Sequence, residues 1–433
     1  METSYETRIV NYALQTCGFY PLRAMQRWLI DTHFNKANST MMNAGALIKF
    51  DTSIDLERLA KAATDLLSAY DIFHARLIFH PGTDDLCQRF DGEIVPVTVE
   101  KISDEEFERR KENLMIPYKL INRPLYRFYL FETPTAKYMY SDFYHAILDG
   151  TALLILFWRE LEMRYLGKKI TRPPLKYADF ILDELKVSPE ELAEGNRFWR
   201  EMLKGFDETK HLPPPDIENI QAWHEEHIFT SLENITHKYF ANVDCAENIF
   251  LLAATMLTLA KTTGSKTAVM SWLHNGRNTA QERRLMGIML EQFPISWDFT
   301  KDLSVEEFLS GLETKIQTGM RYRRSLSTVY DEGLEDDCAT FIFQKRALGA
   351  LNGMIFDGKP AEMISLPLNE ISAAENSLDI EINLGDDGKY FVELDYDASR
   401  YSEAAMYRFA ATLDEIILAM KDDNCMISTI LEG

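Results

Sequence analysis

Apolar positions recur along the chain with two periods. Leu56, Leu59, Ala60, Ala63, Leu66 and Leu67 fall at helical spacing, and residues 44–50 and 73–79 on either side have strand composition, which predicts a β-α-β opening. Before it, residues 19–34, with Pro21, Gln26 and Trp28, read as a short helix. After it the pattern predicts a strand at 86–90, a charged surface helix at 104–114 and strands at 127–131 and 138–143. From Thr151 the chain is apolar on nearly every side (Leu153, Leu154, Ile155, Leu156, Phe157, Trp158), which suits a buried helix. Beyond this, helices are expected at 177–185, 192–203, 246–260, 304–320 and 402–420. Strands are expected at 228–232, 267–273, 339–343, 378–384 and 390–396.

Two stretches share a plan. KYMYSDFYHAILDGTALLILFWREL and KYFVELDYDASRYSEAAMYRFAATL each run from an aromatic strand through a short acidic turn into a long helix. Laid side by side from their opening Lys-Tyr pairs, His145 of the first meets Asp397 of the second. Two similar lobes follow, with acid-base chemistry on one of them and a cleft that two substrates can enter from opposite sides. The basic, proline-paired stretch 168–176 (KKITRPPLK) stops a helix and suits a linker, so the expected division is 1–167 and 168–433.

At 433 residues the chain exceeds one ordinary core, in keeping with two lobes. A net charge of -22 argues against nucleic acid or an anionic membrane as partner. The opening METSYETRIV lacks the basic and apolar regions of a signal peptide and no apolar run is long enough to span a bilayer, so a cytoplasmic protein is expected. The five cysteines, Cys17, Cys87, Cys245, Cys338 and Cys425, are scattered and form no C-x-x-C, which indicates neither a disulfide framework nor a zinc site.

The candidate chemistry sits between the strand at 138–143 and the helix from Thr151. His145 stands on that connection, followed by Asp149 and Gly150. An imidazole is unprotonated near neutral pH and can take a proton from an attacking amine or hydroxyl. Asp149 has two open roles: acceptor for the imidazole N–H, or an anchor that pairs with a distant arginine. Gly150 suggests a tight turn that carries the carboxylate away, which favours the anchor. Against this stands the plain reading of a core histidine followed by a turn. His224 and His227 lack the i, i+4 spacing of a zinc-protease helix, so no metal site is expected. His274 reads as structural rather than as a site-lining group, and the basic run Arg321 to Arg324 as a solvated helix end rather than a contact for a phosphate or an acidic partner.

These residues carry a resemblance. Tyr144-His145-Ala146-Ile147-Leu148-Asp149-Gly150 is similar to the H-H-x-x-x-D-G motif of the condensation domains of nonribosomal peptide synthetases, within the H-x-x-x-D acyltransferases that include chloramphenicol acetyltransferase. Further family-like stretches follow in order: Pro21 with Gln26, Tyr177-Ala178-Asp179-Phe180, Phe198-Trp199, Gly276-Arg277-Asn278, then Met286-Gly287 and Phe293-Pro294. The resemblance implies an α+β fold of two-layer αβ sandwiches, two chloramphenicol-acetyltransferase-like lobes forming a V-shaped pseudo-dimer with a tunnel between them. It implies that His145 is catalytic, that Arg277 of the second lobe pairs with Asp149, and that Gly276, Asn278 and His274 lie near the tunnel. Tyr144 departs from the family by replacing the first motif histidine; by strand alternation it should point away from His145. Donor and acceptor carrier proteins with phosphopantetheine arms, and an adjoining adenylation domain, are the implied partners of a monomer with no intrinsic cofactor. The oxyanion donors are left unassigned, with backbone N–H groups at the helix start near Gly150 as one candidate set. Two other readings remain: a free-standing acyltransferase taking a coenzyme A thioester and a soluble amine or alcohol, and a docking module with a dead site.

Overall fold

The computed structural model describes residues 18–35, 39–171, 174–204, 211–218, 225–243, 245–325, 338–344, 354–364, 366 and 377–433. Contacts divide the chain into two compact units, one of residues 1–186, 275–290 and 348–370, the other of residues 187–274, 291–347 and 371–433.

The first unit is built on a six-stranded sheet in the order Ile355–Phe356, Lys359–Ile364, Asn43–Phe50, Lys137–Tyr144, Tyr126–Glu132, Val99–Lys101. Lys137–Tyr144 is interior and antiparallel to both neighbours, with Asn43 opposite Tyr144 and Phe50 opposite Lys137. Its end is therefore held from both sides. Asp55 caps the helix Leu56–Ala69 by accepting from the Arg58 N–H, and Leu59, Ala63, Leu66 and Leu67 form its fully buried face. That helix packs on Trp158–Tyr165. The expected strand at 73–79 begins later than its composition implies: Asp71–His74 is a 3-10 turn, and only Arg76–Phe79 is strand, paired with Leu86–Arg89.

The second unit repeats the two-layer plan. Its six strands lie in the order Glu225–Thr236, Lys389–Asp397, Leu378–Leu384, Ala339–Gln344, Thr267–His274, Glu291–Asp298. One face carries the core, where Ile380, Ile382, Val392 and Leu394 meet the helices Glu247–Thr263 and Glu403–Ala419. Residues 249–260 of the former are all buried. Both units combine helices with a mixed open sheet, and the fold class is α+β.

The units are not continuous in sequence. Residue 167 lies inside the first unit, which runs to 186 and takes back 275–290, so the Gly276-Arg277-Asn278 loop, expected with the C-terminal lobe, groups with the N-terminal unit. The cause is the burial of Arg277 described below. Among the described residues no helix is long and apolar enough to cross a membrane, no group of His, Cys, Asp or Glu is arranged to hold a metal, and Cys87 and Cys425 are free thiols. Cys17, His224 and the opening METSYETRIV lie outside the described residues.

Candidate active site

His145 follows directly on the strand Lys137–Tyr144 and opens a turn of residues 145–147, closed by the Ile147 N–H donating to the Tyr144 carbonyl at 2.9 Å. The His145 N–H donates to the Met42 carbonyl at 2.8 Å, and the Gln26 amide donates to the Ala146 carbonyl at 2.9 Å, so the backbone is pinned on both sides of the imidazole. Gln26 is itself buried and exchanges a bond with Gln88. The ring is half-buried, and its Nδ1 is buried with no hydrogen-bond partner. A buried polar atom left without a partner is costly, so such atoms mark places where a ligand or proton completes the structure.

Asp149 belongs to a different network. Its Oδ1 accepts from the Ala152 N–H at 2.7 Å, while Oδ2 accepts from Arg277 Nη1 at 2.9 Å and from the Met289 N–H at 2.7 Å. Both side chains of the ion pair are almost wholly buried, 1% and 2% exposed. Arg277 Nη2 donates to the carbonyls of Gly287, 3.1 Å, and Leu285, 3.3 Å. Burial pulls the guanidinium below its usual pKa, and the adjacent Asp149 carboxylate works in the opposite direction. The carboxylate therefore acts as an anchor, joining the helix start to residues 275–290.

Three glycine and aromatic details make the anchor possible. Gly276 has φ +65°, and a Cβ there would fall inside the Met289 carbonyl oxygen. At Gly287 a Cβ would collide with the Tyr177 ring, whose hydroxyl donates to the Ile288 carbonyl at 2.7 Å. Arg23 donates to the same carbonyl at 3.0 Å and holds Glu184 at 2.6 Å. Arg23, Tyr177, Gly287 and Met289 were not singled out as site-shaping from sequence; the Tyr177-Ala178 and Met286-Gly287 spacings were the available signal.

Three readings of the sequence are corrected. Gly150 has φ -56° and ψ -40°, ordinary helical backbone, because the chain reverses earlier, at residues 145–147. The helix itself begins as a π-helix, Thr151–Phe157, before Trp158–Tyr165 turns α-helical. Only Ala152 and Phe157 of its first seven residues are buried, and Ile155 is 48% exposed, since the unit's core covers one side of it. The N–H groups of Ala152 and Leu153 are already taken by Asp149, which withdraws them as oxyanion donors.

The family model for the condensation domain matches residues 16–426. The chain belongs to the condensation domain family. Members of this family are the amide-bond-forming acyltransferases of nonribosomal peptide synthetases. Tyrocidine synthase 3 of Brevibacillus parabrevis is 21% identical over 324 residues, 72% of this condensation domain but 5% of that synthase's length. The condensation domain from Monacolin K polyketide synthase MokA superposes with TM-score 0.75 at 16% identity, covering 94% of this chain and 99% of that one. The X-domain solved in complex with OxyB from teicoplanin biosynthesis gives TM-score 0.72 at 14% identity over 95% of each chain. These likenesses show the fold.

The remaining candidates of this condensation domain are placed as follows. Tyr144 is fully buried on the motif strand; its hydroxyl donates to the Leu29 carbonyl at 3.2 Å, and its ring meets His33 and Tyr118 edge-on or tilted at 5.5 Å. Burial raises the Tyr144 phenol and lowers the His33 imidazole from their usual pKa values, so both are neutral packing groups at pH 7. Asn278 is exposed, with its N–H donating to Glu282 at 2.9 Å. His274 packs against Trp272 and Phe293 in the second unit, a structural setting. Arg323 lies 3.8 Å from Glu291, and His227 is exposed on its strand.

Proposed function

We propose that the chain forms an amide bond between two carrier-bound substrates, with His145 as the catalytic residue. The observation that supports this best is the division of labour between His145 and Asp149. The imidazole sits on a pinned turn with Nδ1 unused, while the carboxylate four residues on is spent entirely on Arg277, Ala152 and Met289. The main service of the imidazole is to align an amine that is already a fair nucleophile and take its proton as the new bond forms. The amine nitrogen attacks the thioester carbonyl, the C–N bond forms as the C–S bond breaks, and the departing thiolate is protonated. No covalent enzyme intermediate is needed.

In this reading the thioester is carried on the phosphopantetheine arm of a donor carrier protein and the amine on that of an acceptor carrier protein, in an assembly with an adenylation domain and a cytoplasmic setting. The chain acts as a monomer. Asp149, Gly276 and Arg277 support the turn without touching substrate.

The test offers one acyl group on a carrier protein or on coenzyme A, with amine and alcohol acceptors, and measures thiol release and product mass for wild type and His145→Ala. Reaction of the carrier-bound donor with an amine, lost in the alanine variant, is expected. Reaction of coenzyme A donors alone would replace this with the free-standing acyltransferase. Carrier binding without any transfer would replace it with the docking module.

A further inference from the structure

The second unit's sheet has a face opposite its helices, and that face is acidic in a patterned way. On Leu378–Leu384 it presents Asp379, Glu381 and Asn383, and on Lys389–Asp397 it presents Phe391, Glu393 and Asp395, because even-numbered neighbours point into the core. The register sets Asp379 opposite Asp395 and Glu381 opposite Glu393, two like-charged pairs side by side across one ladder. Such pairs destabilise a sheet. The next strand adds Glu225, His227 and Phe229, with His227 opposite Asp395, while Ala339–Gln344 contributes Thr340 and Ile342 beside Asp379 and Glu381.

Two further features say what this face is built to meet. Asn383 is 3% exposed, its side chain hydrogen-bonds Glu381, and its Oδ1 is buried with no partner. Since the carboxylate takes the amide N–H, the orphan is an acceptor, and it calls for a donor. Phe391 lies opposite Asn383, and the ring of Phe229 on the next strand stands 5.0 Å from the Phe391 ring, with Phe229 55% exposed. Acceptors of one sign next to an accessible aromatic wall fit a group that has N–H donors, positive charge and an aliphatic stem.

We infer that the sheet face around Glu381, Asn383, Glu393 and Asp395 binds an organic ammonium group, with its alkyl chain along Phe229 and Phe391. A lysine-like side chain and a free polyamine share that chemistry. The side chains do not form a metal cluster, which favours a diffuse organic cation over an inner-sphere metal. Burial, then the neighbouring carboxylates, push Glu381 up to about 7 and Asp395 up to about 8. A cation that draws these groups into their charged forms displaces their protons, so binding releases protons near neutral pH and strengthens from pH 6.5 to 8.5. The charged and titratable groups around them on the described strands are Asp379, Glu393, Glu225 and His227.

Calorimetric titration of the full chain at ~0.15 M salt, near physiological ionic strength, tests this with spermidine, lysine amide, N-acetyl-lysine amide acetylated on its side chain, and magnesium chloride. The expected result is saturable binding of spermidine or lysine amide with buffer-dependent proton release, and none for the side-chain-neutral compound or magnesium. Glu381→Gln with Asp395→Asn should weaken it tenfold or more while raising the melting temperature, and Phe229→Ala should weaken it a few-fold. A control replacing the exposed Glu105 and Glu108 by Gln should leave it unchanged. Preference for spermidine over lysine amide would point to a polyamine, the reverse to a basic residue. Absence of saturable binding, equal binding of magnesium, or equal loss in the control would overturn the inference. The readout is independent of acyl transfer, so the two proposals fail separately.

Discussion

The two matched strand ends, His145 in the first unit and Asp397 in the second, have diverged in what their bonds are used for. Asp397 closes its own turn: Oδ1 accepts from the Ser399 N–H at 2.9 Å and the Ser399 hydroxyl at 2.6 Å, and the carbonyl accepts from Arg400 and Tyr401. Ser402 then caps a regular α-helix, Glu403–Ala419. These bonds of the Asp397 carboxylate and carbonyl all go to the next four residues. At the other end the satisfied carboxylate is displaced to Asp149, four residues on, and bonds to residues 277 and 289 far along the chain. The strand end itself keeps an imidazole with an unpartnered nitrogen and runs into a π-helix, a form found often at functional sites. The difference teaches that a strand end keeps an unpartnered polar atom where the structural task has moved to another residue.

The widest separation between the two ends should appear in rate. His145→Ala is expected to lower acyl transfer by about 100- to 10,000-fold, the usual range for loss of a positioned acid-base group, with little change in melting temperature. Asp397→Ala should do the reverse, lowering the denaturation midpoint and leaving kcat within a factor of about two. Equal rate losses in both variants would end the comparison.

The anchor comes next in size. Arg277→Ala strands a carboxylate that is 1% exposed and should destabilise the chain by about 3 to 5 kcal/mol, read from chemical denaturation. Asp149→Asn, which keeps acceptor and shape but loses the charge, should cost less. A loss below 1 kcal/mol for Arg277→Ala, on the order of an exposed pair, would mean that the pair is not the fastening of residues 275–290.

How much of this was legible in the sequence depended on range. His145, Asp149 and Arg277 stand in short motifs whose residue types declare their chemistry, and most helices declared themselves by spacing. Glu291–Asp298 was missed because it reads EQFPISWD, and a proline argues against a strand; it is tolerated here because this strand lies at the sheet edge. Lys359–Ile364 pairs with Asn43–Phe50 from some three hundred residues away, and its KPAEMI composition carries no alternation that would show it. Likewise, nothing local in Gly276-Arg277-Asn278 shows which unit will bury it. Gly150 misled in the other direction, because a glycine after an aspartate resembles a turn even where the backbone is helical.

Gly276→Ala tests the backbone beneath the anchor. Positive φ and the nearby Met289 carbonyl both oppose a side chain, and strain of this kind costs about 1 to 3 kcal/mol. The matching change at Gly388, where φ is +79° but the space for a Cβ is open apart from His237 at 4.0 Å, should cost less, so the excess at Gly276 measures the crowding around the anchor.

The smallest effect concerns Tyr144, and it decides how far the neighbour of His145 matters. Its hydroxyl donates to Leu29 and its ring is walled by His33 and Tyr118, so Tyr144→Phe removes one buried hydrogen bond and leaves the packing. That should cost about 1 kcal/mol in stability. The Tyr144 hydroxyl is already used on the Leu29 carbonyl, so the rate should fall by no more than a few-fold. If kcat instead fell as far as in His145→Ala with the melting temperature unchanged, the Tyr144 hydroxyl would be part of the chemistry. The reactive end would then consist of two residues, and the tidy contrast with Asp397, in which one residue holds and another reacts, would have to be redrawn.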